Sequence, residues 1–236
     1  MALTPEKLQE IDEAWNSYFY PGTQTLKNKY NITDYDELKE KEAEISFEKL
    51  VELYDNPIVG DFDAEHLRNI HKYIFGDLYE WAGEYRYVDM RKQTDFTKWE
   101  NIPEYLNGEL KLMHEEIKNV TDKRSLAIFL STYYIQLMAI HPFREGNGRS
   151  SREFLRELVE TKTKEMPCGP LELDWTKFNG DVVLDNIQLA LVFRSAIDNE
   201  FFNALVPIEL EDNLESAKKM WIYISHFLYD ILCFNI

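Results

Sequence analysis

The chain is sparing with the residues that punctuate or cross-link a fold: two cysteines, nine glycines and eight prolines in 236 residues. Cys168 and Cys233 form no CxxC pair, so neither a zinc ribbon nor a disulfide scaffold is expected, and a reducing, cytosolic setting fits best. Basic residues are also short, 26 against 43 acids, for a net charge of -17. That deficit excludes a general nucleic-acid surface and an electrostatic role at anionic membranes. No run of 18 uninterrupted apolar residues occurs, so no membrane-spanning helix is expected. The opening MALTPEKLQEIDEAW has early acids and no apolar core, so no signal peptide is expected either. There is no repeat, low-complexity tract or linker.

What is present is helical periodicity and apolar mass: 44% hydrophobic and 14% aromatic residues, enough for one sizeable core. Thr4-Pro5 followed by EKLQEIDEAWNSYF reads as a capped helix with Leu8, Ile11 and Trp15 at helical spacing. YPGTQTLKNKYNITDYDELKEKEAEI opens with a Pro-Gly turn and resumes as short helices, its DEL-KEKEAE part a solvated charged face. DFDAEHLRNIHKYIFGDLYEWAG puts Leu67, Ile70, Ile74 and Leu78 on one face. From Glu84 to Ile102 the texture changes, with some alternation in EYRYVDM, making this the best β-hairpin in the chain. Helices return in IPEYLNGELKLMHEEIKNV and in KRSLAIFLSTYYIQLMAI, where Leu126, Phe129, Leu130, Tyr133, Leu137 and Ile140 repeat at three and four. RSSREFLRELVETKTKE places Phe154, Leu155, Leu158 and Val159 inward, and the remainder is again mostly helical. The fold class is all-α, a helical bundle with one small hairpin.

Behind the apolar helix ending at Ile140 lies HPFREGNGRSSR, residues 141–152. Pro142 and Gly146-Asn147-Gly148 break one helix and the next begins near Gly148 or Arg149. A glycine turn at a helix N-terminus presents unpaired N–H groups and the positive end of the helix dipole, which suits phosphate. Arg149 and Arg152 share a face of the first turn and can reach successive phosphate oxygens. Glu145 is a hard oxygen ligand suited to Mg²⁺. His141 is the nearby group that titrates near neutrality, a general-base candidate. Together these parts point to phosphoryl or nucleotidyl transfer. Any one of them alone is more often a turn or a solvated ion pair.

HPFREGNGRSSR matches the signature HxFx(D/E)GNGRxxR of the Fic family, and the chain resembles that family more widely. LRNIHKYIFGDLYEWAGEYR is similar to its upstream helix and turn, TDFTKWENIPEYLNGEL to its flap and following helix, and YPGTQTLKNKYNI to the N-terminal region of Fic toxins paired with small antitoxins. The resemblance, covering roughly residues 20–205, implies a Fic fold in residues 1–205, with residues 206–236 as a helical extension packed on the same domain. It implies a protein adenylyltransferase that moves AMP from ATP, with Mg²⁺, to a Ser, Thr or Tyr hydroxyl of a target protein. On that likeness His141 is the base and Glu145 holds the metal. The nucleotide-binding set is Phe143, Arg144, Gly146, Asn147, Gly148, Arg149 and Arg152, with Phe143 packing the loop. Asn147 is expected on the α-phosphate, Arg149 near the β-phosphate and Arg152 on the γ-phosphate. Gly148 stands where the related phosphorylating Doc toxins carry Lys. The flap, Gln93, Thr94, Asp95, Phe96 and Thr97, would pair with an extended target segment.

Many family members are held inactive by a helix bearing (S/T)xxxE(G/N). Here Thr33/Glu37 and Thr161/Glu165 are followed by Leu38 and Met166, so the chain lacks that inhibitor, and inhibition in trans by a small antitoxin supplying a Glu to Arg152 is expected. A degenerate internal inhibitor is the alternative. Other readings are a secreted effector with the same chemistry and a non-catalytic Fic-fold binding module. No nucleic-acid or membrane partner is expected, and the setting is the bacterial cytoplasm. His66, His71, His114 and His226 lack metal-ligand spacing and read as core or surface histidines. KMWIYISHFLYDILCF reads as a core-covering helix, with membrane or partner docking as the alternative.

Overall fold

The computed structural model describes residues 4–92, 95–167, 169–178 and 190–208. The expected C-terminal extension beyond residue 208, with KMWIYISHFLYDILCF and His226, lies outside the described residues, as do Gln93 and Thr94. Seven α-helices carry the described fold: α1 Pro5–Asn16, α2 Tyr35–Asp55, α3 Ala64–Phe75, α4 Ile102–Glu116, α5 Lys123–Ile140, α6 Asn147–Lys162 and α7 Ala190–Ala204. Local chemistry sets several of the starts. The side chains of Thr4, Asp34, Asp63 and Asp122 each accept a backbone N–H three residues on, and Ser125 returns the bond in a capping box on α5. No described helix is long and apolar enough to cross a membrane.

The core is built around α5, which packs against α4, α6 and α7, while α3 lies between α2 and α6. Leu67, Ile70, Ile74 and Leu78, the α5 stripe, and Phe154, Leu155, Leu158 and Val159 are all buried, as their periodicity requires. Two expectations differ. The segment after the Pro-Gly turn is one 21-residue helix, because Asp34 caps it and nothing between Tyr35 and Asp55 breaks it. The stripe of α1 is exposed: Leu8 at 49%, Ile11 at 42% and Trp15 at 37%, so periodicity there marks a face that the described residues leave uncovered.

Strands β1 (Leu171–Leu173) and β2 (Leu205–Pro207) pair antiparallel, with Glu172 opposite Val206. This two-stranded sheet is not the expected hairpin. Between Glu84 and Ile102 the described residues make a narrow flap with one antiparallel bridge, Arg91 to Asp95, extended by one backbone bond and one side-chain bond. Phe96 N–H donates to Met90 O (3.2 Å) and Trp99 N–H to the Asp89 carboxylate (3.0 Å).

Two buried polar groups of α6 find partners on neighbouring elements, while Trp81 Nε1, His141 Nδ1, Arg144 Nε and Trp175 Nε1 are buried with no hydrogen-bond partner among the described residues. Arg156 of α6 donates to Glu153, to Glu160 and to Leu53 O. His66 of α3 bonds Glu157 of α6 at 3.0 Å, and that carboxylate also accepts from Ile58 N–H (3.1 Å). His66 accepts from Phe62 N–H at Nδ1, so Nε2 carries the proton given to Glu157. Phe154, fully buried, meets the Phe62 and His66 rings edge-on at 5.7 Å. Phe154→Ala is expected to cost about 3–5 kcal/mol in urea unfolding; a loss under about 1 kcal/mol would mean that the α3–α6 seam collapses onto the cavity.

Candidate active site

The apolar helix α5 ends on His141, whose backbone sits in the left-handed region at φ 51. Six residues later α6 begins, with Gly146 at φ 79 as its N-cap. Here glycine is required twice over, since a Cβ at 146 would meet the Phe75 ring at 2.3 Å. Phe75, at the end of α3, thus packs directly under the turn. Asn147 clamps the loop: its Oδ1 accepts Phe143 N–H (2.8 Å) and its Nδ2 donates to Phe143 O (2.9 Å). Phe143 is buried and stacks on His71 at 3.8 Å. His71 accepts Gly83 N–H at Nδ1 (2.8 Å), so its Nε2–H donates to Glu145 O (2.9 Å). One neutral imidazole therefore staples the turn after α3 to the loop. Complete burial, with the Arg149 charge adding to it, pulls the His71 pKa down to about 3.

Around this frame the ionisable groups of the motif are set apart by environment. Desolvation, helped by the Arg86 charge, pulls the His141 pKa down to about 3, so its imidazole is neutral in this structure. Its ring lies flat against Phe96 of the flap, centroids 3.9 Å apart and 6° between planes. Desolvation and the Glu42 carboxylate raise the Glu145 pKa, while Arg149 and the Gly146 N–H pull the other way. The Glu145 side chain is half-exposed and bonds Gly146 N–H at 2.9 Å. It is an oxygen donor beside a helix N-terminus, which fits a Mg²⁺ that keeps its waters and shares ligands with phosphates.

The arginines have separate anchorages. Arg144 is buried with its guanidinium over the Trp15, Tyr18 and Phe19 rings at 4.7, 5.4 and 5.1 Å, so α1 and the turn after it cage it. Arg149 stacks over Phe75 (4.5 Å), donates to Ser46 Oγ (3.1 Å), and closes an ion pair with Glu42 of α2. Tyr79 O–H donates to the other oxygen of that carboxylate, and Glu145 lies 3.7 Å from Arg149. Arg152, one turn along α6, is half-buried, with Nη1 3.4 Å from where a Cβ on Gly148 would stand. Of the flap residues, Asp95 is exposed, Phe96 covers His141, and Thr97 N–H donates to Ala139 O (3.1 Å).

Glu42, Ser46, His71, Tyr79 and Arg86 escaped sequence reasoning. Glu42 is 107 positions from Arg149 and is followed by Ala43, so no motif scan selects it. Among the described residues no three His, Cys, Asp or Glu side chains gather as a metal cluster, leaving Glu145 as the carboxylate of the loop.

The domain thus sets a neutral imidazole, an acid and a helix N-terminus around one short loop. The chain belongs to the Fic/DOC family: that family's model matches residues 61–159. It is 35% identical over 159 residues to "Probable protein adenylyltransferase y4lH" of Sinorhizobium fredii, covering 65% of this chain and 80% of that protein. To "Probable protein adenylyltransferase Fic" of Escherichia coli it is 30% identical over 192 residues, 80% of this chain and 95% of that one. With "Protein adenylyltransferase VbhT" of Bartonella schoenbuchensis it shares 36% identity over 84% of its own length, but spans only 38% of that protein. The crystal structure of the Bartonella tribocorum effector BepC with bound AMPPNP has the same fold: TM-score 0.72 at 24% identity, over 82% of this chain and 98% of that one.

Two outcomes follow from this geometry. Glu42→Ala, which takes the nearer carboxylate from a mostly buried arginine that also pairs with Glu145, should cost about 3 kcal/mol by denaturant titration, with Glu42→Gln recovering part of it. His71 is neutral when folded and, near its ordinary value of 6.5 when unfolded, takes up protons in the unfolded state first. Stability is then complete above pH 6.5 and falls below it by about 1.4 kcal/mol per pH unit. The His71→Gln chain should lose that part of the slope in urea midpoints measured from pH 4.5 to 8.

Proposed function

We propose that this chain is a protein adenylyltransferase, moving AMP from ATP to a Ser, Thr or Tyr hydroxyl of a target protein. The observation that carries the reading is the loop itself: His141 neutral at one end and the N-terminus of α6 at the other. The named activity of the Escherichia coli and Sinorhizobium fredii relatives supports it.

In this reading His141 takes the proton from the target hydroxyl, whose oxygen attacks the α-phosphorus. The bond to the β-phosphate oxygen breaks and pyrophosphate leaves. Gly146, Asn147 and Gly148 head α6 and offer the helix N-terminus to the α-phosphate, while the Asn147 clamp on Phe143 keeps that turn rigid. Arg149, held by Glu42 and Ser46, faces the β-phosphate, and Arg152 the γ-phosphate. Phe143 and Arg144 brace the loop through His71 and the aromatic cage. Glu145 would hold Mg²⁺, which would supply charge neutralisation at the phosphates. The flap, Gln93 to Thr97, pairs with an extended segment of the target.

For control, a small antitoxin reaching Arg152 with a glutamate is the partner we infer. The internal acid, Glu42, closes on Arg149 instead. The few cysteines and the acidic surface fit the bacterial cytoplasm. Export as an effector would leave the same chemistry intact, and the Bartonella neighbours are effectors by name.

Incubation with α-labelled ATP and a bacterial lysate should label protein, and His141→Ala should abolish that label. With γ-labelled ATP no protein should be labelled. Transfer of the γ-label would identify a phosphorylating enzyme instead, and a blank with both labels would leave a binding module.

A further inference from the structure

Arg86, in the turn that follows α3, is among the largest fully buried side chains, at 1% exposure. Among the described residues it makes no ion pair. Its donors all go to backbone carbonyls: Nε to His141 O (2.8 Å), Nη1 to Val88 O (2.6 Å), and Nη2 to Ile140 O (3.3 Å) and Thr97 O. Its own N–H donates to Pro142 O (2.9 Å).

A buried cation without a counter-ion is costly, and a structure keeps one only where several acceptors repay it. Two of the four carbonyls, Ile140 and His141, are the last of α5, where helix geometry leaves carbonyls unpaired and the dipole is negative. Capping alone would need no more than these. The other two, Val88 and Thr97, stand on opposite limbs of the flap, where paired strands would have bonded each other. A single guanidinium thus closes the flap's neck and fastens it to the residue bearing the base. Next to Thr97, Phe96 lies flat on the His141 ring.

We propose that Arg86 is the positioning residue that registers the target-binding flap on the base, so that an extended hydroxyl-bearing segment docks at a fixed offset from His141. This rests on the AMP-transfer reading for its consequence, but not for its geometry. The planar fork matters as much as the charge: a lysine keeps the cation but cannot meet four carbonyls in one plane.

The test uses the full chain with ¹³C-labelled histidine, as wild type, Arg86→Lys and Phe96→Ala. Stacking under Phe96 shifts the His141 ring protons upfield, and Phe96→Ala marks the position without it. In Arg86→Lys the His141 signals should move toward that position. MgATP affinity should stay within about 2-fold, because Arg149 and Arg152 sit on α6 and Glu145 is held by His71 and Gly146 N–H rather than by Arg86. Transfer of α-label to lysate proteins should fall about 10- to 100-fold, the penalty for misplacing a reacting group by about an ångström. His141 signals unmoved in Arg86→Lys would overturn the proposal, as would MgATP affinity falling in step with transfer. Should Arg86→Lys not fold, Arg86→Gln takes its place; if neither folds, Arg86 is a folding residue and the positioning role is rejected. A wild-type chain that labels nothing would defeat the AMP-transfer reading, while the histidine signals would still decide whether Arg86 registers the flap.

Discussion

A buried loop must match its backbone polar groups, and the loop between α5 and α6 depends on that rule. Its carbonyls and N–H groups are met from three directions: Arg86 on His141, His71 on Glu145 and Asn147 on Phe143. None of these bonds is strong in net terms, but leaving one partner unmatched in the interior is expensive. The site's rigidity is therefore a consequence of satisfaction rather than of any single contact. The helices bring the apolar mass, and the polar staples decide where the loop lies.

The staples also divide the electrostatics. His71 and His141 are both held neutral by burial, yet one has both ring nitrogens committed to the backbone while the other lies under an aromatic lid. Glu145 keeps solvent contact and an elevated pKa between Glu42 and Arg149. Environment rather than residue type assigns the roles, as it does wherever like groups share a site.

Much of this was legible in the sequence. Long periodic runs such as Leu126 to Ile140 can be buried only one way, and the twelve-residue motif carries its chemistry contiguously. The rest was hidden for reasons of distance and context. Glu42 and Arg149 meet only because α2, packed on α3, brings Glu42 beside the first turn of α6, and Arg86 looked like one more residue of a weakly alternating segment. The hairpin reading of the flap rested on weak alternation, and it could not foresee how short the ladder is or that a side chain would join its neck. The stripe on α1 followed the same periodicity as the core helices, yet periodicity says which residues share a face and not whether anything covers it.

The two glycines of the motif are not alike. At 146 the backbone angle and the Phe75 ring leave room for no side chain, so the letter there records the shape of a neighbouring helix rather than any reaction. At 148 the backbone is ordinary, and the nearest neighbour of an added carbon would be the tip of Arg152. A long cation placed there would lie beside that guanidinium. One glycine is a packing necessity and the other a vacancy that chemistry can fill, and a change of donor in this fold has room to begin at the second.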